Sequence, residues 1–365
     1  MIRIDIIAGA RPNFMKIAPI IAAIELAKQK GTAIDFRLIH TGQHYDQKMS
    51  GDFFQQLGIP TPHVNLEVGS GTQAEQTAKI MMGYEALLLE SPSNLCLVVG
   101  DVTSTMACAI AAKKLNIDVA HVEAGIRSGD RSMPEEINRI VTDSITDYFF
   151  TTSEVANTNL KNAGVADSSV FFVGNTMIDT LLKQMPNFKQ PDFWDAAKLT
   201  PQNYFVLTLH RPSNVDADTQ LQQLLSEIMQ HTQGHKVVFP VHPRTAKMLA
   251  QLNMNFENLF LTEPMSYLAF NYLVKHAKAV ITDSGGITEE TTVMQIPCIT
   301  LRSSTERPET CSIGTNELIG TDPAAIKPTL EKLFAGNWKK GGIPPLWDGH
   351  TAERIVAAIK SIYAI

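Results

Sequence analysis

Short apolar runs with the length of buried strands recur along this chain, separated by stretches with helical spacing, and the alternation occurs twice. In the first half the strand-like runs cover residues 3–8, 35–40, 95–99, 119–122, 148–152 and 170–173. Helical patterns lie between them at 17–28, 73–90, 105–115 and 134–146. Strands that alternate with helices pair in parallel, because each crossover helix returns the chain to the same end of the sheet and covers one face. A proline-rich interval at 186–201 interrupts the pattern. It resumes with runs at 204–209, 237–241, 259–261, 279–282 and 298–301, and ends in a helix at 351–363. The expected fold class is therefore α/β, with two doubly wound Rossmann-like domains facing across a cleft. The first spans residues 1–185, completed by the C-terminal helix at 351–365; 186–201 is a linker; the second spans 202–350.

Length agrees with two domains, since 365 residues exceed what one core usually holds. A net charge of −6 argues against a general nucleic-acid binder, so any phosphate contacts must come from a few placed basic residues. The four cysteines, Cys96, Cys108, Cys298 and Cys311, show no CxxC spacing, which disfavours zinc or a disulfide framework. The N-terminal run alternates apolar and polar residues and meets Arg11 and Pro12 too early for a signal peptide. No apolar run is long enough to span a bilayer. The expected location is the cytoplasm, with no membrane partner.

Ligands of doubly wound sheets bind beyond the carboxyl ends of the strands, and unusual polar residues cluster there. The most informative cluster is Asp283-Ser284-Gly285-Gly286-Ile287-Thr288-Glu289-Glu290, after the run at 279–282. Two glycines permit a tight turn and close approach of a ligand, and the first N–H groups of the following helix suit a phosphate. Glu290 lies one turn along from Gly286, where a carboxylate can accept two hydrogen bonds from a ribose diol. An ordinary strand–turn–helix corner fits the same residues. Arg11 and Lys16 follow the first run and can reach an anion, or are simply solvated. Asp101, after Gly100, is either a site acid or the cap of the next helix. Glu123 directly follows His121-Val122, and Glu135 and Glu136 open a helix whose dipole would favour acids in any case. In the second half, His210-Arg211 and His242-Pro243-Arg244 end successive runs, and Arg307 lies in a polar loop after the last. Carboxylates with an available histidine suit removal and return of a proton. There is no HExxH, nucleophile elbow or Walker loop.

Taken together, the motifs resemble the bacterial non-hydrolysing UDP-N-acetylglucosamine 2-epimerases, whose fold is that of GT-B glycosyltransferases. The resemblance runs in order through Gly9-Ala10-Arg11-Pro12 with Lys16, Thr41-Gly42-Gln43-His44-Tyr45-Asp46, Gly100-Asp101-Val102-Thr103-Ser104 and His121 to Asp130. It continues through Pro134 to Arg139, His210 to Asn214, Val241 to Thr245, Asp283 to Glu290 and Thr305 to Glu309. It implies a catalytic group of Asp101, Glu123, Glu135 and His210. It also implies a UDP-binding set of Arg11, Lys16, Ser284, Gly285, Gly286, Glu290 and Arg307 with His210, and Phe270 beside the uracil. Gln43, His44, Glu136, Arg211 and His242 match positions that hold a second UDP-sugar as activator in some members. Asp46 replaces a frequent glutamine there, and its charge disfavours a diphosphate, so substrate activation is expected to be weak or absent. The chain departs from commoner forms at Asn13, Pro212, Ser213 and Thr288. The family is usually dimeric, which makes a homodimer the expected state.

Inverting C2 of an N-acetylhexosamine requires removal of a weakly acidic proton, because C2 is not adjacent to a carbonyl. Departure of UDP from C1 as the proton leaves gives a 2-acetamidoglucal; UDP then re-adds while a proton reaches C2 from the other face. This route needs no redox cofactor and no metal. Rival readings are a hydrolysing epimerase that releases free N-acetylmannosamine, an epimerase for a UDP-diacetamido uronic acid, a retaining glycosyltransferase of the same architecture, and an inactive nucleotide-sugar binding module.

Overall fold

All five residues of the strand Leu95–Val99 are buried, as expected where a parallel sheet is covered on both faces. The computed structural model describes residues 1–42, 54, 56–211, 214, 218–241, 246, 249 and 256–365. The chain divides into two compact units: residues 1–183 with 345–365, and residues 184–344.

Unit 1 holds, among the described residues, β1 (Ile2–Ala8), β2 (Ile34–His40), β3 (Val64–Asn65), β4 (Leu95–Val99), β5 (Asp118–Val122), β6 (Tyr148–Thr151) and β7 (Val170–Phe172). They form one sheet in the order β3-β2-β1-β4-β5-β6-β7, with every pair parallel. The connecting helices include α1 (Arg11–Gln29), α2 (Gln73–Glu90), α3 (Thr103–Lys114), α4 (Pro134–Ile145), α5 (Glu154–Asn162) and α6 (Thr176–Gln184). Strand order reverses between β1 and β4, which places a crevice beyond their carboxyl ends.

Unit 2 repeats the plan. Strands β8 (Tyr204–Thr208), β9 (Lys236–Pro240), β10 (Leu259–Thr262), β11 (Ala279–Thr282), β12 (Cys298–Thr300) and β13 (Asn316–Leu318) pair in parallel in the order β10-β9-β8-β11-β12-β13. Its helices include α7 (Asp218–His231), α8 (Tyr267–Lys275), α9 (Gly285–Met294), α10 (Pro308–Ser312) and α11 (Ile326–Phe334). Here the reversal falls between β8 and β11. Successive side chains of a strand point to opposite faces, and β8 shows it. Phe205 and Leu207 enter one core with Leu221, Leu224 and Leu225, whereas Tyr204 and Val206 enter another with Leu273 and Val274.

Two segments acquire their place only through tertiary contacts. Within 186–201, Trp194, Ala197 and Leu199 are buried in the core of unit 2, and Trp194 meets the Tyr204 ring edge-on at 5.5 Å. The C-terminal helix α12 (Thr351–Tyr363) belongs to unit 1, where the buried Asp179 carboxylate accepts from the N–H groups of Thr351 (3.1 Å) and Ala352 (2.7 Å). Those contacts satisfy two of the four N–H groups that any helix start leaves open. No described helix is long and apolar enough to cross a membrane.

Candidate functional site

At the reversal point of unit 2 the chain leaves β8 as Leu209-His210-Arg211 and leaves β11 as Asp283-Ser284-Gly285. Asp283 is fully buried and organises both exits. Its carboxylate accepts from the N–H groups of His210 (3.1 Å) and Arg211 (2.9 Å) and from Asn214 Nδ2 (3.1 Å), and it lies 2.7 Å from His210 Nδ1. Burial pushes this carboxyl up, but hydrogen bonds and the charge of His210 outweigh it and hold the group below the usual carboxylate range. An ionised Asp283 fixes Nδ1–H toward itself and leaves Nε2 as the working nitrogen. The His210 side chain is 62% exposed, so that nitrogen is available to a ligand.

Ser284 caps α9, and its side chain makes no capping bond. Neither Gly285 nor Gly286 has a positive φ, so a tight turn is not why glycine stands there. Space is the better reason. A Cβ on Gly286 would meet nothing within 4 Å, and one on Gly285 would stand 3.5 Å from Arg302 Nη1, so the two glycines keep the start of α9 open. One turn in, Glu290 is buried and its carboxyl is pushed up to about 7. Burial is the main cause, opposed by bonds from Tyr267 Oη (2.9 Å) and Asn271 Nδ2 (3.4 Å) and reinforced by Glu289. Phe270 stands on α8 between those two donors in sequence and packs, half-buried, on the core of unit 2. The buried Arg307 pairs with Glu289, and Arg302 grips Glu306 through two bonds of 2.8 and 2.7 Å.

In unit 1 the corresponding crevice collects Lys16, Gly100, Asp101 and Glu123. Lys16 Nζ lies 2.6 Å from Glu123 Oε2, a pair in which the acid is nearly buried. Glu123 has φ +71°, a left-handed conformation that side chains with a Cβ rarely adopt and that tends to occur at functional positions. Asp101 does not cap α3, whose N-cap is Val102. Instead its Oδ2 accepts from Arg139 Nε (3.0 Å) and Nη2 (2.5 Å), while its carbonyl accepts from Asn138 Nδ2. Glu135 is exposed in the first turn of α4, the helix that supplies Asn138 and Arg139. Asn13 uses both ends of its amide: Oδ1 accepts from the N–H groups of Gly9 and Ala10, and Nδ2 donates to the Val99 carbonyl, which an acid could not do.

Gly100 is constrained twice, by φ +66° and by the Lys16 ammonium, which a Cβ would approach to 2.8 Å. Gly100→Ala is expected to cost about 1–2 kcal/mol for the left-handed backbone alone and to push Lys16 off Glu123. Chemical denaturation reads the first effect; an unchanged midpoint would contradict it.

The structure thus gathers Lys16, Asp101 and Glu123 in unit 1, with Glu135 on the helix that braces them. In unit 2, His210 and Ser284 meet at Asp283, with Gly285, Gly286 and Glu290 along α9. Arg11 opens α1, and its side chain lies outside the described atoms. Gln43, His44 and His242 lie outside the described residues. Glu136 is buried and fully engaged, accepting from Ser128 N (2.9 Å), Gly129 N (3.1 Å) and Arg139 Nη1 (2.7 Å). Arg211 donates from Nε to the Asp283 carbonyl. Asp283, Arg139, Tyr267 and Asn271 escaped assignment from sequence. The signal for Asp283 is an acid directly after a buried strand, and for Tyr267 and Asn271 a polar pair spaced i,i+4 on a mostly apolar helix; Arg139 carries neither.

Comparisons with known proteins agree in direction. The sequence matches the family model described as UDP-N-acetylglucosamine 2-epimerase over residues 26–360. The UDP-N-acetylglucosamine 2-epimerase of Methanocaldococcus jannaschii is 40% identical over 367 residues, covering 97% of this chain and 98% of the relative. The UDP-2,3-diacetamido-2,3-dideoxy-D-glucuronate 2-epimerase of Pseudomonas aeruginosa is 38% identical over 318 residues, covering 86% of this chain and 87% of the relative. A crystal structure of the M. jannaschii UDP-GlcNAc 2-epimerase in complex with UDP-GlcNAc and UDP superposes with a TM-score of 0.87 at 39% identity, covering 99% of this chain and 100% of that one.

Proposed function

This chain belongs to the UDP-N-acetylglucosamine 2-epimerase family, and we propose from that premise that it interconverts UDP-GlcNAc and UDP-ManNAc without releasing the free sugar. The observation that carries the proposal is the reversal point of unit 2. There an exposed imidazole, oriented by a buried carboxylate, adjoins an open helix start with a buried acid one turn in. Such a helix start suits a phosphate, and the acid suits a ribose diol. The family's known ligands agree, since the M. jannaschii enzyme was crystallised with UDP-GlcNAc and UDP.

In this reading Ser284, Gly285 and Gly286 receive the diphosphate, Glu290 holds the ribose hydroxyls, and Phe270 flanks the uracil. Arg11, Lys16, Arg307 and His210 offset charge on the departing UDP. The C2–H and C1–O bonds break, a C1=C2 double bond forms, and the C2 proton passes to a carboxylate. Re-addition of UDP with proton delivery to the other face completes the inversion. Asp101, Glu123 and Glu135 are the acids that handle the proton. Orientation of Asp101 by two bonds from Arg139 and pairing of Glu123 with Lys16 support those roles, since both carboxylates are held in fixed positions.

Incubation with UDP-GlcNAc followed by NMR of the anomeric and C2 protons tests the proposal. UDP-linked N-acetylmannosamine is the expected product; free N-acetylmannosamine with an equivalent of UDP would establish the hydrolysing reaction instead. The P. aeruginosa relative motivates a parallel incubation with the UDP-diacetamido uronic acid. A higher kcat/KM for that sugar would move the assignment to it. Rate is expected to rise hyperbolically with UDP-GlcNAc, since Glu136 is already engaged by three donors and the sequence carries an acid, Asp46, where glutamine is frequent among members that bind an activator. Sigmoidal rates abolished by Gln43→Ala would contradict this.

A further inference from the structure

His121 is completely buried beneath the acids of unit 1, and both of its ring nitrogens face acceptors. Nε2 stands 2.8 Å from the Gly100 carbonyl and Nδ1 stands 2.7 Å from Asp143 Oδ1. The second oxygen of Asp143 accepts from the Gly125 N–H (3.1 Å) and from Arg127 Nη1 (2.6 Å), and that same Nη1 also donates to the Ile126 carbonyl. Burial pushes the Asp143 carboxyl up, but its bonds and charges from His121 and Arg127 outweigh burial and hold it low. Asp143 is therefore an ionised group on α4, bonded to the residues after β5 and, through His121, to the residues after β4.

A buried polar cluster of this kind is a weak source of stability, because desolvation offsets most of its attraction. It is a strong source of geometry, because each bond fixes a direction. Here the bonds converge on three backbone segments: the turn of Gly100 and Asp101, the loop from Glu123 to Arg127, and helix α4, which carries Glu135 in its first turn. We infer that the His121–Asp143 pair is a positioning centre that locks the three proposed proton-handling acids into one frame. The inference rests on the 2-epimerase reading, and it assigns His121 no contact with substrate.

Two amide variants separate positioning from packing. The nitrogen of a glutamine side chain reaches about where Nε2 lies, and that of asparagine about where Nδ1 lies. His121→Gln therefore keeps the bond to the Gly100 carbonyl, whereas His121→Asn keeps the bond to Asp143 and releases Gly100 and Asp101. Misplacement of a reacting group by 1 Å can cost about 10²-fold in rate. His121→Asn should lose about that much in kcat at unchanged KM and UDP affinity, and His121→Gln should recover all but about tenfold, since only transition-state geometry is affected. Wild-type kcat in His121→Asn, or equal losses in both variants, would overturn the proposal. Wild-type protein that fails to epimerise UDP-GlcNAc would instead overturn the reading of the reaction. In that event ring-¹⁵N spectra of labelled wild-type protein still test the centre. A ring N–H of His121 protected from solvent exchange is expected, since the ring is buried and bonded, and one that exchanges freely would contradict it.

Discussion

Glu123→Gln is expected to lower the epimerisation rate by about 10²–10⁴-fold, the range lost when a general base is removed, a loss far larger than any change in UDP affinity. Glutamine keeps the size and shape of the side chain but can neither accept a proton at C2 nor pair with the Lys16 ammonium 2.6 Å away. Backbone geometry strengthens the expectation. A non-glycine residue at φ +71° costs roughly 1–3 kcal/mol, and such strain is most often kept where a side chain must be held in one place. Glu135→Gln should also slow turnover; exposure of Glu135 at the start of α4 leaves it open to substrate. Steady-state rates with calorimetric UDP titrations check both. Near-wild-type turnover in the two variants would remove the carboxylates from the mechanism.

Glu290→Gln is expected to change stability and binding in opposite directions. The Glu290 carboxyl titrates at about 7 in the folded chain, against an ordinary value of 4.5. The folded state therefore holds a proton that the unfolded chain has already released. Stability from this group is fully present below the unfolded value and is lost as pH rises through about 7. At pH 8 the native protein carries a penalty on the order of 3 kcal/mol, which glutamine removes; at pH 4 the variant and the wild type should agree. Binding moves the other way. Loss of a charged acceptor for the ribose hydroxyls costs about 1.5–3 kcal/mol, and wild-type affinity should weaken below pH 7 as Glu290 takes up its proton. UDP itself ionises near this range, so the quantity to follow is the difference between wild type and variant at each pH. Denaturation midpoints that do not diverge between pH 4 and pH 8, or equal UDP affinities at pH 8, would contradict the assignment.

Strands and helices could be read from the sequence because their signal is local. The runs at 95–99 and 279–282 coincide with β4 and β11, and the helix at 73–90 with α2. Strand order is not local information, yet the residues that follow β8 and β11 stand out in the sequence as polar groups after apolar runs. Partner choice was illegible. Arg139 reaches back 38 positions to Asp101, and Asn214 spans 69 to Asp283, distances over which no periodicity carries information. Asp101 illustrates the point, since cap and site acid both fit the sequence; Val102 is the cap, and the carboxylate turns instead to Arg139. Glu136 is a second case. Its motif suggests a ligand contact, but the three donors that meet its carboxylate could not be read from that motif. For the glycines of α9 only one of the two expected causes fits: their backbone would admit other residues, so a tight turn does not require them, whereas the open space beside them is what close approach of a ligand needs.

The central claim is that a carboxylate removes the C2 proton and that a proton returns to the opposite face. A carboxylic acid open to water exchanges its proton, so epimerisation in D₂O labels the product at C2. Proton NMR of UDP-ManNAc formed from unlabelled UDP-GlcNAc should show the C2 signal lost and the C1 signal simplified accordingly. Product that retains its original C2 proton would contradict elimination through these acids, and would point to oxidation at another carbon or to internal proton transfer.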